Sequence, residues 1–234
     1  MLVYTVIFWL KVPETTPLLR EKGEAKQKGY RLKSFLTNHY PVLTLMLLTI
    51  PISFFHAQAE TNYRLYAEHI FTHYLSVLAI LSTCQSIMML AFEIVFVKWT
   101  EKLPMKQIII ISYGCYAMTA FLYGSATSLW PLIIAQFTLT LGQSIGLNHM
   151  LRLVSQMASA NQRGLYFALY GSHWDLSRMA GPFVGGMILI HFGGHTLFYI
   201  AATFLIAGGI GQFIFMNFIE KRETQNLAEK AKII

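Results

Sequence analysis

Apolar runs recurring at near-regular intervals restrict this chain more than any other feature. Six segments, at about residues 40–58, 74–97, 107–126, 130–151, 165–191 and 196–219, approach or exceed the ~20 apolar residues that cross a ~30 Å hydrocarbon layer as a helix. Only 12% of the 234 residues are charged, against about 25% in an average soluble domain. Such a chain cannot cover a globular surface with charge. Its 55% hydrophobic content also excludes disorder, which needs low hydrophobicity and high charge. In lipid every backbone polar group must be paired within its own segment, so a series of such runs becomes a series of helices. The expected fold is an all-α integral membrane protein, a bundle of six transmembrane helices. Connections as short as residues 127–129 and 191–195 make neighbouring spans antiparallel.

The polar segments add a direction. Residues 1–10 are apolar but half the length of a span, and no basic stretch or small-residue cleavage site accompanies them, as a signal peptide would require. They read as the stub of a truncated helix. Residues 11–38 form a basic connector, 39–219 the six-helix domain and 220–234 a charged tail. The connector, the 98–106 loop, the 152–163 loop and the tail together carry 16 of the 18 Lys and Arg residues. Those segments fall on one side of the bundle, and the positive-inside rule makes it the cytoplasm. The chain is therefore expected to be a multi-pass protein of the cell membrane with both termini cytoplasmic. Its net charge of +7 marks topology; a nucleic-acid surface would gather these residues on one soluble face.

Arg163-Gly164, followed by the run Gly181-Pro-Phe-Val-Gly-Gly186, resembles the C-terminal half of a major facilitator superfamily transporter. Pro13-Glu14 is similar to the end of that family's sixth helix, and Lys98-Trp-Thr-Glu-Lys102 to its connector between helices eight and nine, closest to the multidrug efflux branch. The resemblance covers residues 1–222. It implies secondary active transport by alternating access, with proton-coupled efflux of an amphipathic small molecule or drug. It also implies a missing N-terminal half as partner, because the solute lies between two halves.

Ionisable groups at bilayer depth are costly and are the first functional candidates. Glu93, Asp175 and Arg178 are the three that lie well within the spans. Asp175 and Arg178, three residues apart, are placed to pair with each other, either as a coupling or gating pair or as a structural salt bridge. Glu93 shares a helical face with Ser82, Gln85, Met89, Phe92 and Phe96. A carboxylate among Met and aromatic side chains suits an apolar cation and can exchange a proton for it. The competing reading is ordinary packing, with Glu93 reaching toward Lys98. Tyr170, His173, Trp174 and Ser177 share another face, expected to line a solute cavity. Gln136, Thr140 and Gln143 form a stripe read as interhelical hydrogen bonding.

Gly181, Gly185 and Gly186 permit close helix approach, and Pro182 and Pro51 remove backbone donors and bend their helices. These five are expected to be packing or hinge positions. Arg64 stands four residues from both Glu60 and Glu68, a spacing for surface ion pairs. His69/His73 and His191/His195 are i, i+4 pairs on the outer side that would need to meet to bind zinc. His149 and His173 are the two deep histidines a haem would require. Cys84 and Cys115 sit in apolar runs as small core residues. No catalytic residue, metal or cofactor is expected. The rival readings are a half-transporter inactive without its partner and, less in keeping with the residues, a membrane redox or metal-binding protein.

Overall fold

The computed structural model describes residues 32–233, with side chains for 34–221. The stub at 1–10 and most of the basic connector lie outside the described residues. One short helix, α1 (Leu32–Asn38), forms a unit of its own. The second unit contains α2 (Tyr40–Glu60), α3 (Asn62–Ile70), α4 (Tyr74–Thr100), α5 (Met105–Ser125), α6 (Leu129–Met157), a 3₁₀ turn (Ala160–Gln162) and α7 (Arg163–Ile233). Among the described residues there is no strand.

Local chemistry explains where these helices begin and break. Pro41 occupies the first turn of α2, where no donor is lost. Pro104 precedes α5 in an extended conformation, as its fixed φ favours. Within the 71-residue α7, Gly193 has φ 82° and ψ 166°, a conformation that separates two helical arms. Only glycine adopts it without strain. Among the described residues four helical stretches are long and apolar enough to cross a membrane: α2, α4, α5 and the 62 residues Ala160–Lys221. At ~1.5 Å per residue the last is about 93 Å long, enough for two crossings of a ~30 Å layer.

Helix α6 has 29 residues but stands outside that set. Its span carries Gln136, Thr138, Thr140, Gln143, Ser144 and His149, which dilute its apolar character. The bundle hides these groups: Gln136, Thr140, Ser144 and His149 are all buried. The Thr140 hydroxyl donates to the Gln136 carbonyl one turn back at 2.8 Å, and His149 Nε2 meets the Thr100 hydroxyl of α4 at 3.0 Å. Polar groups are thus turned inward, as hydrocarbon requires.

The core is aromatic at the end of the bundle where α3 sits. Tyr63 stacks on Tyr123 with centroids 4.3 Å apart, and Phe198 packs edge-on against both at 5.6 Å. Helices α2 and α7 approach closely through glycines. A Cβ on Gly181 would come within 2.9 Å of the Ala57 Cβ, and one on Gly185 would overlap the Gln58 side chain. Gln58 Nε2 donates to the Gly181 carbonyl at 2.9 Å, and Asn62 Nδ2 donates to Gln58 Oε1 at 2.6 Å and to the Pro182 carbonyl at 3.3 Å. A second close approach is formed by Gly208, where a Cβ would lie 2.7 Å from the Pro51 ring. Helix α4 differs from the rest. Only Leu81 and Thr100 of its 27 residues are buried.

Gly185→Ala should displace Gln58 and break its buried hydrogen bonds. A loss of about 1–3 kcal/mol is expected, read as a lower melting temperature in detergent. Gly186→Ala, whose Cβ would meet Asn62 at an ordinary 3.7 Å, should change little.

Candidate functional site

Where α2 runs into α3, a cleft of about 390 Å³ opens between these helices, α4 and α6. Its charged lining is Glu60 and Arg64; its polar and aromatic lining includes His56, Tyr63, Ser82, Gln85, Tyr123 and Gln136. The volume lies within the ~300–1,000 Å³ range of small-molecule sites.

One turn of α2 places His56 and Glu60 on the same side. Glu60 Oε1 lies 3.7 Å from Arg178 Nη2 of α7. The Asp175–Arg178 pairing expected from spacing is therefore corrected: Arg178 turns across the helix interface to Glu60, and Asp175 is exposed. The Arg64–Glu60 pairing is corrected with it: among the described residues the ion pair of Glu60 is with Arg178, and Arg64 lines the cleft beside Glu60. Side-chain exposures of 61% for Arg178 and 55% for Glu60 limit what the pair adds to stability, typically below ~1 kcal/mol. Arg178 also lies over the Trp174 ring, 5.7 Å from its centroid.

Trp174 lines a second, smaller cavity. Its ring is 5.2 Å from that of His56 and 5.2 Å from that of His173. The small cavity, about 30 Å³, is lined by residues including Thr49, Tyr116, Gln143, Tyr170, His173 and Trp174. His56 Nε2 meets the Tyr116 hydroxyl at 3.2 Å. A layer of His56, Tyr116 and Trp174 thus separates the two spaces. His173 is buried, and neither ring nitrogen has a hydrogen-bond partner; Tyr170 packs on it edge-on at 4.8 Å. Its backbone carbonyl accepts from Ser53, whose hydroxyl also meets that of Ser177 at 2.7 Å.

The candidates read from sequence are therefore divided. Tyr170, His173 and Trp174 gather at the inner cavity, and Gln85 lines the cleft while donating to Gln143 Oε1 at 3.4 Å. Glu93 is half-buried on α4 and lines neither space. Its neighbours Phe92 and Phe96 stack at 5.7 Å and both meet Phe137 of α6 edge-on, at 6.4 and 6.0 Å, as helix packing would arrange them. The Gln136 stripe, read as packing, is split in three: Gln136 faces the cleft, Gln143 the inner cavity, and Thr140 its own helix.

Sequence reasoning missed His56, Tyr63 and Tyr123, and read Glu60 only as a surface ion-pair partner of Arg64. A histidine inside an apolar span, one turn before a glutamate, was the available signal. Tyr63 lies beyond the end of α2; burial, with Tyr123 and Tyr66 adding to it, pushes its hydroxyl above the usual phenol range. It is protonated at any physiological pH. The outer histidines do not meet: His69 Nδ1 contacts its own helix at the Leu65 carbonyl, His191 packs on Phe192, and His195 Nδ1 contacts the Gly124 carbonyl and the Tyr66 hydroxyl. Among the described residues no three His, Cys, Asp or Glu side chains are grouped to hold a metal ion.

The sequence profile of the Major Facilitator Superfamily matches residues 52–233. The chain belongs to the major facilitator superfamily. It is 40% identical over 210 residues to the uncharacterized MFS-type transporter YhjO of Bacillus subtilis, covering 90% of this chain and 51% of that protein. It is 27% identical over 139 residues to the riboflavin transporter RibZ of Clostridioides difficile, covering 59% of this chain and 30% of that protein. A Na(+), Li(+), K(+)/H(+) antiporter of Planococcus maritimus is 21% identical over 134 residues, 57% of this chain and 31% of that protein. The chain thus spans about half the length of YhjO and less of the others. It is a superfamily member with an all-α membrane fold.

Two substitutions separate packing from charge at this site. Tyr123→Phe removes the partner of Gln136 Nε2, a 2.6 Å bond, and should cost about 1–3 kcal/mol. Glu60→Gln should cost less than about 1 kcal/mol. Melting temperatures of the two variants in one detergent check the order.

Proposed function

We propose that this chain forms one wall of a transporter that exports an amphipathic small molecule in exchange for protons by alternating access. The observation that carries the reading is the cleft: a space of small-molecule size, with Glu60 and Arg64 in its lining, on helices of a superfamily member. In such proteins the solute sits near the bilayer midplane between two halves, which rock about it. The proposed partner is an N-terminal half. The length shared with YhjO supports this. A chain without that partner would be inactive. The bilayer in question is the cell membrane, with both termini cytoplasmic.

Within this reading the residues take distinct parts. Gln85 contacts solute, and Arg178 couples α7 to Glu60 when the cleft opens or closes. Trp174 and Tyr170 shape the layer beneath the cleft. His173, with two unpartnered ring nitrogens, and Glu93 and Asp175 are the proton-carrying candidates. Pro51, Gly181, Pro182, Gly185 and Gly186 let α2 and α7 move as units. Proton coupling is further supported by the antiporter relative, whose name pairs cation movement with H(+).

Doxorubicin, a fluorescent amphipathic amine, provides the test in cells producing this chain together with an N-terminal half. Efflux should stop when a protonophore collapses the gradient. Glu93→Gln and His173→Phe should each slow it about tenfold or more, and Arg178→Ala similarly. Efflux indifferent to the protonophore contradicts proton coupling, and undiminished efflux in Glu93→Gln removes that residue from the mechanism.

A further inference from the structure

The cleft contains two polar groups that the bundle does not satisfy. Tyr63 and Gln136 are each 3% exposed. The Tyr63 hydroxyl and Gln136 Oε1 have no hydrogen-bond partner. Both residues line the cleft, the two oxygens themselves being closed to water. They are tied together through one neighbour, Tyr123, which stacks on Tyr63 at 4.3 Å and whose hydroxyl accepts from Gln136 Nε2 at 2.6 Å. The orphan groups therefore flank a single phenol, one contributed by α3 and one by α6.

Other buried amides of the bundle are paired. Gln58 bonds to the Gly181 carbonyl, Asn62 to Gln58, and Gln212 to Tyr113 and Met150. Buried polar groups without partners are few in folded proteins, because each costs free energy. Two of them in one wall of one cavity mark a place where a ligand's polar group completes the hydrogen bonding.

We propose that this wall, formed by Tyr63 and Gln136 around Tyr123, recognises a hydroxyl group of the solute. A hydroxyl donates and accepts at once, so it can pair with the phenol or with the amide whichever way round the amide sits. An ammonium offers donors only, and a lipophilic cation without hydroxyls offers neither. The charged groups of the cleft argue against an ammonium at this end: its one lining carboxylate, Glu60, is already paired with Arg178, and Arg64 beside it is itself a cation. The inference rests on the transport reading only in calling the ligand a transported solute; recognition of the hydroxyl stands on the cleft itself.

A matched pair of probes tests it. Binding of adenosine and of 2′,3′-dideoxyadenosine to the purified 234-residue chain in mild detergent is measured by isothermal titration. Adenosine should bind at least tenfold more tightly, since a site built around a hydroxyl rejects analogues that lack it. Gln136→Leu and Tyr63→Phe should each reduce that preference to less than about twofold. Tyr63→Phe removes a hydroxyl with no partner while keeping the ring stack, so it should raise the melting temperature of the free chain by about 2 °C. A purely structural Tyr63 would give a fall instead. Equal binding of the two probes, binding of neither, or a preference unchanged in both variants overturns the proposal. Loss of doxorubicin efflux with the hydroxyl preference intact would remove the transport reading and leave this one standing.

Discussion

Where α2 crosses the first arm of α7, Gln58 and Asn62 reach across an interface that only glycine leaves open. Their amides bond to the carbonyls of Gly181 and Pro182, and a Cβ on Gly185 would fill the space Gln58 occupies. Lipid supplies no hydrophobic drive between helices, so close packing and hydrogen bonds of this kind hold a membrane bundle together. Much else follows from this contact. It sets His56 against Trp174 and brings Glu60 within reach of Arg178, and it aligns Ser53 with Ser177 and the His173 carbonyl. The floor of the cleft and one of its ion pairs are products of a backbone approach two turns long.

Much of the helical architecture was legible before any coordinates. Apolar length and sparse charge named an all-α membrane bundle, and the order of Arg163-Gly164 and the Gly181–Gly186 run named the superfamily. The site was legible only in part. Periodicity along one helix put Tyr170, His173 and Trp174 on a common face, and they do meet at one cavity. It could not show that Arg178 would find Glu60, 118 positions earlier, because i, i+3 spacing lists only partners within a helix. The same limit hid Tyr63 and Tyr123, whose stacking joins α3 to α5. Gln136 was noticed as a polar residue in a span, yet packing and solute contact give the same stripe in sequence. What separates them is the partner of each polar atom, a three-dimensional property.

The polar residues of α6 and the exposed surface of α4 express one constraint in opposite ways. Hydrocarbon penalises an unpaired polar group, so α6 buries its amides and hydroxyls within the bundle. Helix α4, buried only at Leu81 and Thr100, turns mostly apolar side chains outward, Leu75, Ile87, Leu90 and Ile94 among them, and its Ser86 hydroxyl donates to the Ser82 carbonyl of the same helix. The unpaired groups of Tyr63 on α3 and Gln136 on α6 are tolerated in the wall of the cleft, which α4 also lines. Stability is conceded there, in the region where solute recognition is proposed.

Accessibility of the cleft wall during a transport cycle is the most direct measurement of the central claim, that this cleft is one wall of an alternating-access pathway. Ala79 lines the cleft on α4, and Ala79→Cys in a background with Cys84 and Cys115 replaced by Ser provides a single reporter. A membrane-impermeant maleimide is applied from outside, to cells producing both halves, with and without an imposed proton gradient. Labelling that changes severalfold when the gradient is imposed is the predicted result. Labelling at one constant rate, with the gradient verified and the protein folded, would contradict the account.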